Sequence, residues 1–149
     1  MYSIEDFDKE KTRVLKYIMY KKRSEGEIRT KFEGTIDENM LDDIVEYLKN
    51  AGYINDNEYI KKTVNEFMAL KNLSTKEICY KLLSKKLNKD DIDDYIYENR
   101  DKLEKYEIRS AQNIFYKKSS SMDEEEIKQY LLKKGYKMEN INKALNTGS

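Results

Sequence analysis

The sequence predicts an all-α protein, built as an elongated array of tandem three-helix repeats with about nine helices. Three observations carry this. Apolar residues recur at spacings of three, four and seven, and long alternating β-branched runs are absent. Charged residues (39 %) match apolar ones (38 %), which suits small helices with one apolar stripe and a wide charged face. A helix-start signature also recurs three times in register: Ser24-x-x-Glu27-Ile28, Ser74-x-x-Glu77-Ile78 and Asp123-x-x-Glu126-Ile127.

The elements follow in order. Phe7, Val14, Leu15, Ile18 and Met19 lie on one face of a first helix. It ends near Lys22 and Arg23, whose charge suits a helix C-terminus. Ser24 and Glu27 form a capping box, each side chain satisfying the other residue's backbone N–H. The helix they open carries Ile28 and Phe32 and stops at Gly34. A third helix carries Met40, Leu41, Ile44, Val45 and Leu48. Gly52 ends it, since glycine takes the positive φ that stops a helix. Tyr53 and Ile54 then supply apolar bulk to bury, and Asp56 is the expected N-cap of the next helix.

The pattern recurs from there. Ile60, Val64, Phe67 and Met68 form a fourth helix; the box at Ser74 opens a fifth with Ile78, Leu82 and Leu83. Ile92, Tyr95 and Ile96 follow Asp90 and Asp91 on a sixth. A long seventh helix carries Leu103, Tyr106, Ala111, Ile114 and Phe115 and runs out in Ser119-Ser120-Ser121, read as a mobile loop. The third box opens a helix with Ile127, Leu131 and Leu132, and a short last helix carries Ile141, Ala144 and Leu145.

Superposing the boxes fixes the repeat. Ile28, Ile78 and Ile127 are 50 and 49 positions apart. Ile78 to Ile92 and Ile127 to Ile141 are each 14 positions; Ile28 to Leu41 is 13, a one-residue deletion. The chain therefore reads as one domain over residues 1–149: repeat one 7–55, repeat two 56–100 and repeat three 101–147. A unit this small buries its apolar face only with its neighbours' help, and the curved surfaces of such arrays suit long partners.

Composition excludes several chemistries. Histidine is absent, which removes Ser-His-Asp and Cys-His catalysis. With Cys79 the only cysteine, no internal disulfide forms and a zinc site is implausible; Cys79 reads as a small buried apolar side chain. No glycine-rich phosphate loop is present. The clusters Asp90-Asp91-x-Asp93-Asp94 and Glu124-Glu125-Glu126 fall at expected helix N-termini, where the dipole favours negative charge, so no metal and no cofactor is expected and the chain does not read as an enzyme. No apolar run resembles a signal peptide or a membrane span, and the expectation is a cytoplasmic protein.

Charge is balanced overall and uneven locally. The chain holds 10 basic and 14 acidic residues up to Glu58, then 11 and 9 to Tyr106, then 8 and 6. Between Lys71 and Lys89 stand six lysines and one acid, Glu77. Lys81, Lys85 and Lys89 are spaced by four, and the superposition lays Lys85-Lys86-Leu87 over Lys133-Lys134-Gly135-Tyr136. Lys71, Lys81, Lys85, Lys86, Lys89, Lys133 and Lys134 are thus the candidate partner-binding residues, a basic stripe for an acidic partner or a phosphate backbone. The bland reading is a solvated face with helix C-terminal charges.

The chain resembles the RecX family of regulatory proteins, which modulate the RecA recombinase. The strongest element is Gly52-Tyr53-Ile54-Asn55-Asp56-x-x-Tyr59. Ser24-x-x-Glu27-Ile28, Glu77-Ile78-x-x-Lys81-Leu82 and Leu131-x-Lys133-Lys134-Gly135-Tyr136 support it. The resemblance covers nearly the whole chain; it departs where members often read Lys-Gly-Ile and this chain reads Lys85-Lys86-Leu87. It implies tandem three-helix repeats and a non-enzymatic, cofactor-free regulator of DNA repair and recombination. Such a protein binds RecA filaments and inhibits their extension, ATP hydrolysis and strand exchange, with single-stranded DNA at most a weak second partner. A monomer is expected. Two other readings stay open: a helical-repeat protein that binds nucleic acid without RecA, and a scaffold for an unrelated protein.

Overall fold

The structure, a computed structural model, describes residues 2–147. Among the described residues there are nine helices and no strand beyond one isolated bridge between Glu33 and Ile36. They fall into three groups: α1 (Ile4–Tyr20), α2 (Glu25–Phe32) and α3 (Glu38–Asn50); α4 (Asp56–Leu70), α5 (Thr75–Leu83) and α6 (Lys89–Glu98); α7 (Arg100–Lys118), α8 (Glu124–Lys133) and α9 (Met138–Thr147).

Each group gathers its own core. Ile28, Ile44 and Leu48 centre the first, Ile60, Leu82 and Ile92 the second, and Ile127, Leu131 and Ile141 the third. Each of these side chains is at least 98 % buried, and each removal from water is worth about 2 kcal/mol. Three small cores in a row leave more surface than one large one. The accessible area is 9706 Å2, against about 8,000 Å2 for a compact monomer of 17.9 kDa. The array is therefore elongated.

Local chemistry sets the helix ends. All three capping boxes form, with both reciprocal bonds in place at Ser24, Ser74 and Asp123. A residue of positive φ follows each middle helix: Gly34 at 79°, Lys86 at 58° and Gly135 at 96°. Lys86 takes the left-handed conformation without glycine's freedom. After α7 the serines form a hydrogen-bonded turn, with the N–H groups of Ser121 and Met122 both donating to the Lys118 carbonyl at 3.1 and 2.9 Å.

Three expectations are corrected. The N-cap of α4 is Asn55, whose side chain accepts from the Glu58 N–H; Asp56 is the first helical residue. Ile54 is buried but Tyr53 is half exposed. And α1 stops at Tyr20 with Lys21 as its C-cap, so Lys22 and Arg23 lie beyond it and do not serve its last turn.

The joints between repeats explain where Asp56 went. Its carboxylate accepts the Glu25 N–H, at the head of α2, at 3.0 Å. Ser24, fully buried, accepts from its own box and donates its hydroxyl to the Lys85 carbonyl of the next repeat at 2.5 Å. The second joint repeats this plan: Ser74 donates to the Lys134 carbonyl at 2.7 Å, and Glu107 accepts the Thr75 N–H at 2.9 Å. Glu107 is 1 % exposed and also takes the Lys137 N–H and the Asn140 amide, so its buried carboxyl group meets three donors. Asp123 opens a box with no repeat beyond it among the described residues; it is exposed and only caps.

Packing is close at both joints, and a glycine stands on one side of each. A Cβ on Gly26 would lie 2.8 Å from the Lys86 Cβ and closer still to the Lys86 carbonyl oxygen; a Cβ on Gly135 would lie 2.9 Å from the Lys76 Cβ. Otherwise the joints differ. At the second, Leu103 and Tyr106 of α7 belong to the middle core, and the Tyr106 hydroxyl accepts the Leu73 N–H and donates to the Lys71 carbonyl. At the first, no described residue of α1–α3 enters the middle core. Repeat one is held mainly through polar contacts at the heads of α2 and α4 and the α5–α6 turn.

Candidate partner-binding groove

The first joint leaves a groove between the end of α1, the flank of α4 and the α5–α6 turn. Five lysines line it: Lys21 and Lys22 from repeat one, and Lys62, Lys71 and Lys85 from repeat two. Lys21 arrives because the chain turns extended after Tyr20; Lys71 arrives by the same device, as the extended residue that ends α4. Lys62, Glu66 and Leu70 follow at spacings of four on one flank of α4.

Aromatic rings underlie the lysines. Lys22 and Lys85 each hold an ammonium 6.0 Å from the centre of the Tyr59 ring. Lys71 and Lys81 stand 5.7 and 6.0 Å from the Phe67 ring. Such contacts are worth about 0.5–1 kcal/mol at exposed sites, and they hold the lysines over the floor. Desolvation, and then the nearby Lys62, push the Lys22 ammonium below its ordinary pKa. The acids in reach are Glu66, on the lining, and Glu58, 3.9 Å from the Lys62 ammonium.

Across the exposed strip of α4 (Lys62, Asn65, Glu66, Ala69) a second basic cleft opens against α7. Lys102, Lys105 and Arg109 line it with Asn65, Met68 and Ala69. Lys102 donates to the Asn65 side chain at 3.0 Å and Arg109 to the Met68 carbonyl at 3.3 Å. The α6 flank of α4 is opposite in sign, with Asp91, Asp94 and Glu98 beside Asn57. Burial raises the pKa of Asp56 nearby, and the charges of Glu25 and Asp91 add to that. A net charge of zero thus conceals a basic and an acidic flank on one helix.

The seven candidate lysines divide. Lys71 and Lys85 line the groove and Lys81 stands over the adjacent ring. Lys86 is the strained residue packed on Gly26. Lys134 belongs to the second joint, where Tyr130 and then Glu77, at 3.7 Å, raise its pKa. Lys89 is paired with Asp93 at 2.8 Å. Lys133 closes α8, away from the groove lining. Sequence reasoning missed Lys21, Lys22 and Lys62. The 50-position superposition carries Lys71 back onto Lys21, and that signal finds one of them.

Cys79 is half buried against the middle core, and burial raises its thiol pKa. Among the described residues no group of carboxylates and cysteine is arranged to hold a metal ion, and no helix is long and apolar enough to cross a membrane. What the groove offers chemically is positive charge over a partly apolar floor.

No family model matches the chain. It is 27 % identical to the regulatory protein RecX of Staphylococcus carnosus, over 88 % of this chain and 51 % of that one. It is 30 % identical to the regulatory protein RecX of Clostridium beijerinckii, over 91 % of this chain and 66 % of that one. The chain therefore spans from about half to about two thirds of the length of these relatives. The crystal structure of RecX from Lactobacillus salivarius superposes with a TM-score of 0.83, covering 98 % of both chains at 22 % identity, a likeness that establishes the fold. With the three capping boxes, the Gly52–Tyr59 signature and the array of three-helix repeats, these similarities show that the chain belongs to the RecX family of regulatory proteins.

Proposed function

We propose that the protein is a non-enzymatic regulator of DNA repair and recombination that binds RecA filaments and inhibits their extension, ATP hydrolysis and strand exchange. Membership of the RecX family is the observation that carries this reading. The physical form agrees with it. An elongated array can touch successive protomers of a helical filament and gather affinity from several weak contacts. The basic surface around α4 gives it a charged face to present, and charge complementarity favours encounter and register with an acidic partner. The contact set assigned to this face is Lys21, Lys22, Lys62, Lys71, Lys81 and Lys85, while Lys86 and Lys134 hold the joints.

Co-sedimentation with RecA filaments assembled on single-stranded DNA tests the reading. The wild-type protein pellets with filaments, and a Lys22→Glu, Lys62→Glu, Lys71→Glu variant remains in the supernatant. A Lys133→Glu variant pellets as wild type. Failure of the wild-type protein to pellet, with filaments intact, rejects the function; pelleting of the triple variant rejects the face.

A further inference from the structure

We propose that the groove between repeats one and two binds an acidic peptide segment carrying an apolar residue, and so clamps the two repeats together. This gives a ligand chemistry to the contact face of the regulator reading, and it is tested without RecA, so either can fail alone.

The groove is lined by five lysines, two on one repeat and three on the next, against one acid on the lining, Glu66, and Glu58 beside Lys62. It is a half-open groove of about 540 Å3. Desolvation and then Lys62 depress the Lys22 pKa and Glu58 offsets this only in part, so the cluster keeps a repulsion that a further carboxylate relieves. On the same lining Leu70 is 74 % exposed, an apolar contact beside the charges. Carboxylates flanking one apolar side chain match that arrangement.

Single-stranded nucleic acid matches it less well. Sequence-tolerant binding of single strands needs aromatic faces on which bases stack. Tyr59 is 6 % exposed and Phe67 is packed against the middle core, and both rings are roofed by lysines. The charge is there for phosphates; the groove lining itself offers no exposed ring, and the exposed Tyr20 and Tyr80 stand outside it.

The clamp follows from the first joint. Repeat one shares no core side chain with repeat two among the described residues, and the contacts between them are chiefly the Ser24–Lys85 and Glu25–Asp56 bonds, the Gly26–Lys86 approach and Lys22 over Tyr59. A ligand that neutralises Lys21 and Lys22 on one side and Lys62 and Lys71 on the other adds a bridge across a joint that has no shared core.

The test is fluorescence anisotropy with a short labelled peptide, glutamates flanking a central leucine, and an oligo-dT strand of equal charge. Saturable binding of the peptide is expected, weakened about tenfold or more by Lys22→Glu with Lys62→Glu and Lys71→Glu. Leu70→Ser, a change at an exposed position, weakens the leucine peptide and leaves its serine analogue unchanged. In isotope-labelled wild-type protein, amide NMR shifts on peptide addition fall on both Lys22 and Lys71. No binding, equal binding by the triple variant, no response to Leu70→Ser, shifts confined to one repeat, or displacement of the peptide by equimolar oligo-dT each overturns the proposal.

Discussion

Ser74 and Asp123 stand at the same place in successive repeats, and truncating them should cost very different amounts. Ser74 is fully buried and makes two bonds, accepting the Glu77 N–H at 3.0 Å and donating to the Lys134 carbonyl at 2.7 Å. Ser74→Ala removes the cap, worth about 1 kcal/mol. It also removes the bond between repeats and leaves a carbonyl short of a donor, worth about 1–2 kcal/mol more. The expected loss is about 2–3 kcal/mol. Asp123 is exposed and only caps, so Asp123→Ala should cost about 1 kcal/mol. With a urea slope of about 2 kcal/mol/M, the unfolding midpoints fall by about 1–1.5 M and about 0.5 M. Ser74→Asp sharpens the comparison: aspartate caps as well as serine but has no hydrogen to donate to Lys134 and brings a buried charge. It should be at least as damaging as alanine. Equal midpoints for Ser74→Ala and Asp123→Ala, or a neutral Ser74→Asp, refute the serine as a joint residue.

Three further changes probe the first joint. Gly26→Ala, which stabilises an ordinary exposed helix by about 1 kcal/mol, should instead destabilise by about 2 kcal/mol, because the new Cβ would collide with the Lys86 carbonyl oxygen; thermal unfolding reads the sign. Lys86→Gly should stabilise by about 0.5–1 kcal/mol, the left-handed strain released less the added chain entropy, and a lowered midpoint contradicts it. Asp56→Asn keeps an oxygen for the Glu25 N–H and removes a charge whose pKa is raised by burial. A raised folded pKa means wild-type stability falls as pH climbs through the interval above the ordinary carboxylate value. The Asp56→Asn variant therefore gains on the wild type at neutral pH, and the gain vanishes on acidification, where wild-type Asp56 is protonated in both states; a gain that persists at low pH refutes the charge argument.

The repeat was legible because its signals are local. A capping box, a helix-stopping turn and an apolar stripe are each written within a few residues, and their recurrence at 50 and 49 positions fixed the array. The joints were not legible, because they pair residues about 60 positions apart through main-chain groups. Asp56 illustrates the difference. As a cap it is a fair local reading, yet Asn55 caps and Asp56 reaches across to Glu25.

The basic surface was half legible for a similar reason. Counting lysines along the chain finds the run from Lys71 to Lys89, but Asp93 pairs with one, and Lys86 and Lys134 serve the joints. The groove draws its other lysines from the end of α1, about 40–50 positions earlier, and from the first turns of α4. The net charge of zero suggested no broad basic footprint, yet the opposite charges sit on different flanks of α4. Local charge, not the sum, decides what the helix can meet.

The most direct measurement is the single-strand-dependent ATPase of the cognate RecA with this protein titrated in. The account predicts a fall in rate at substoichiometric protein, absent for the Lys22→Glu, Lys62→Glu, Lys71→Glu variant. An unchanged rate, with filaments shown to be present and the protein folded, contradicts it.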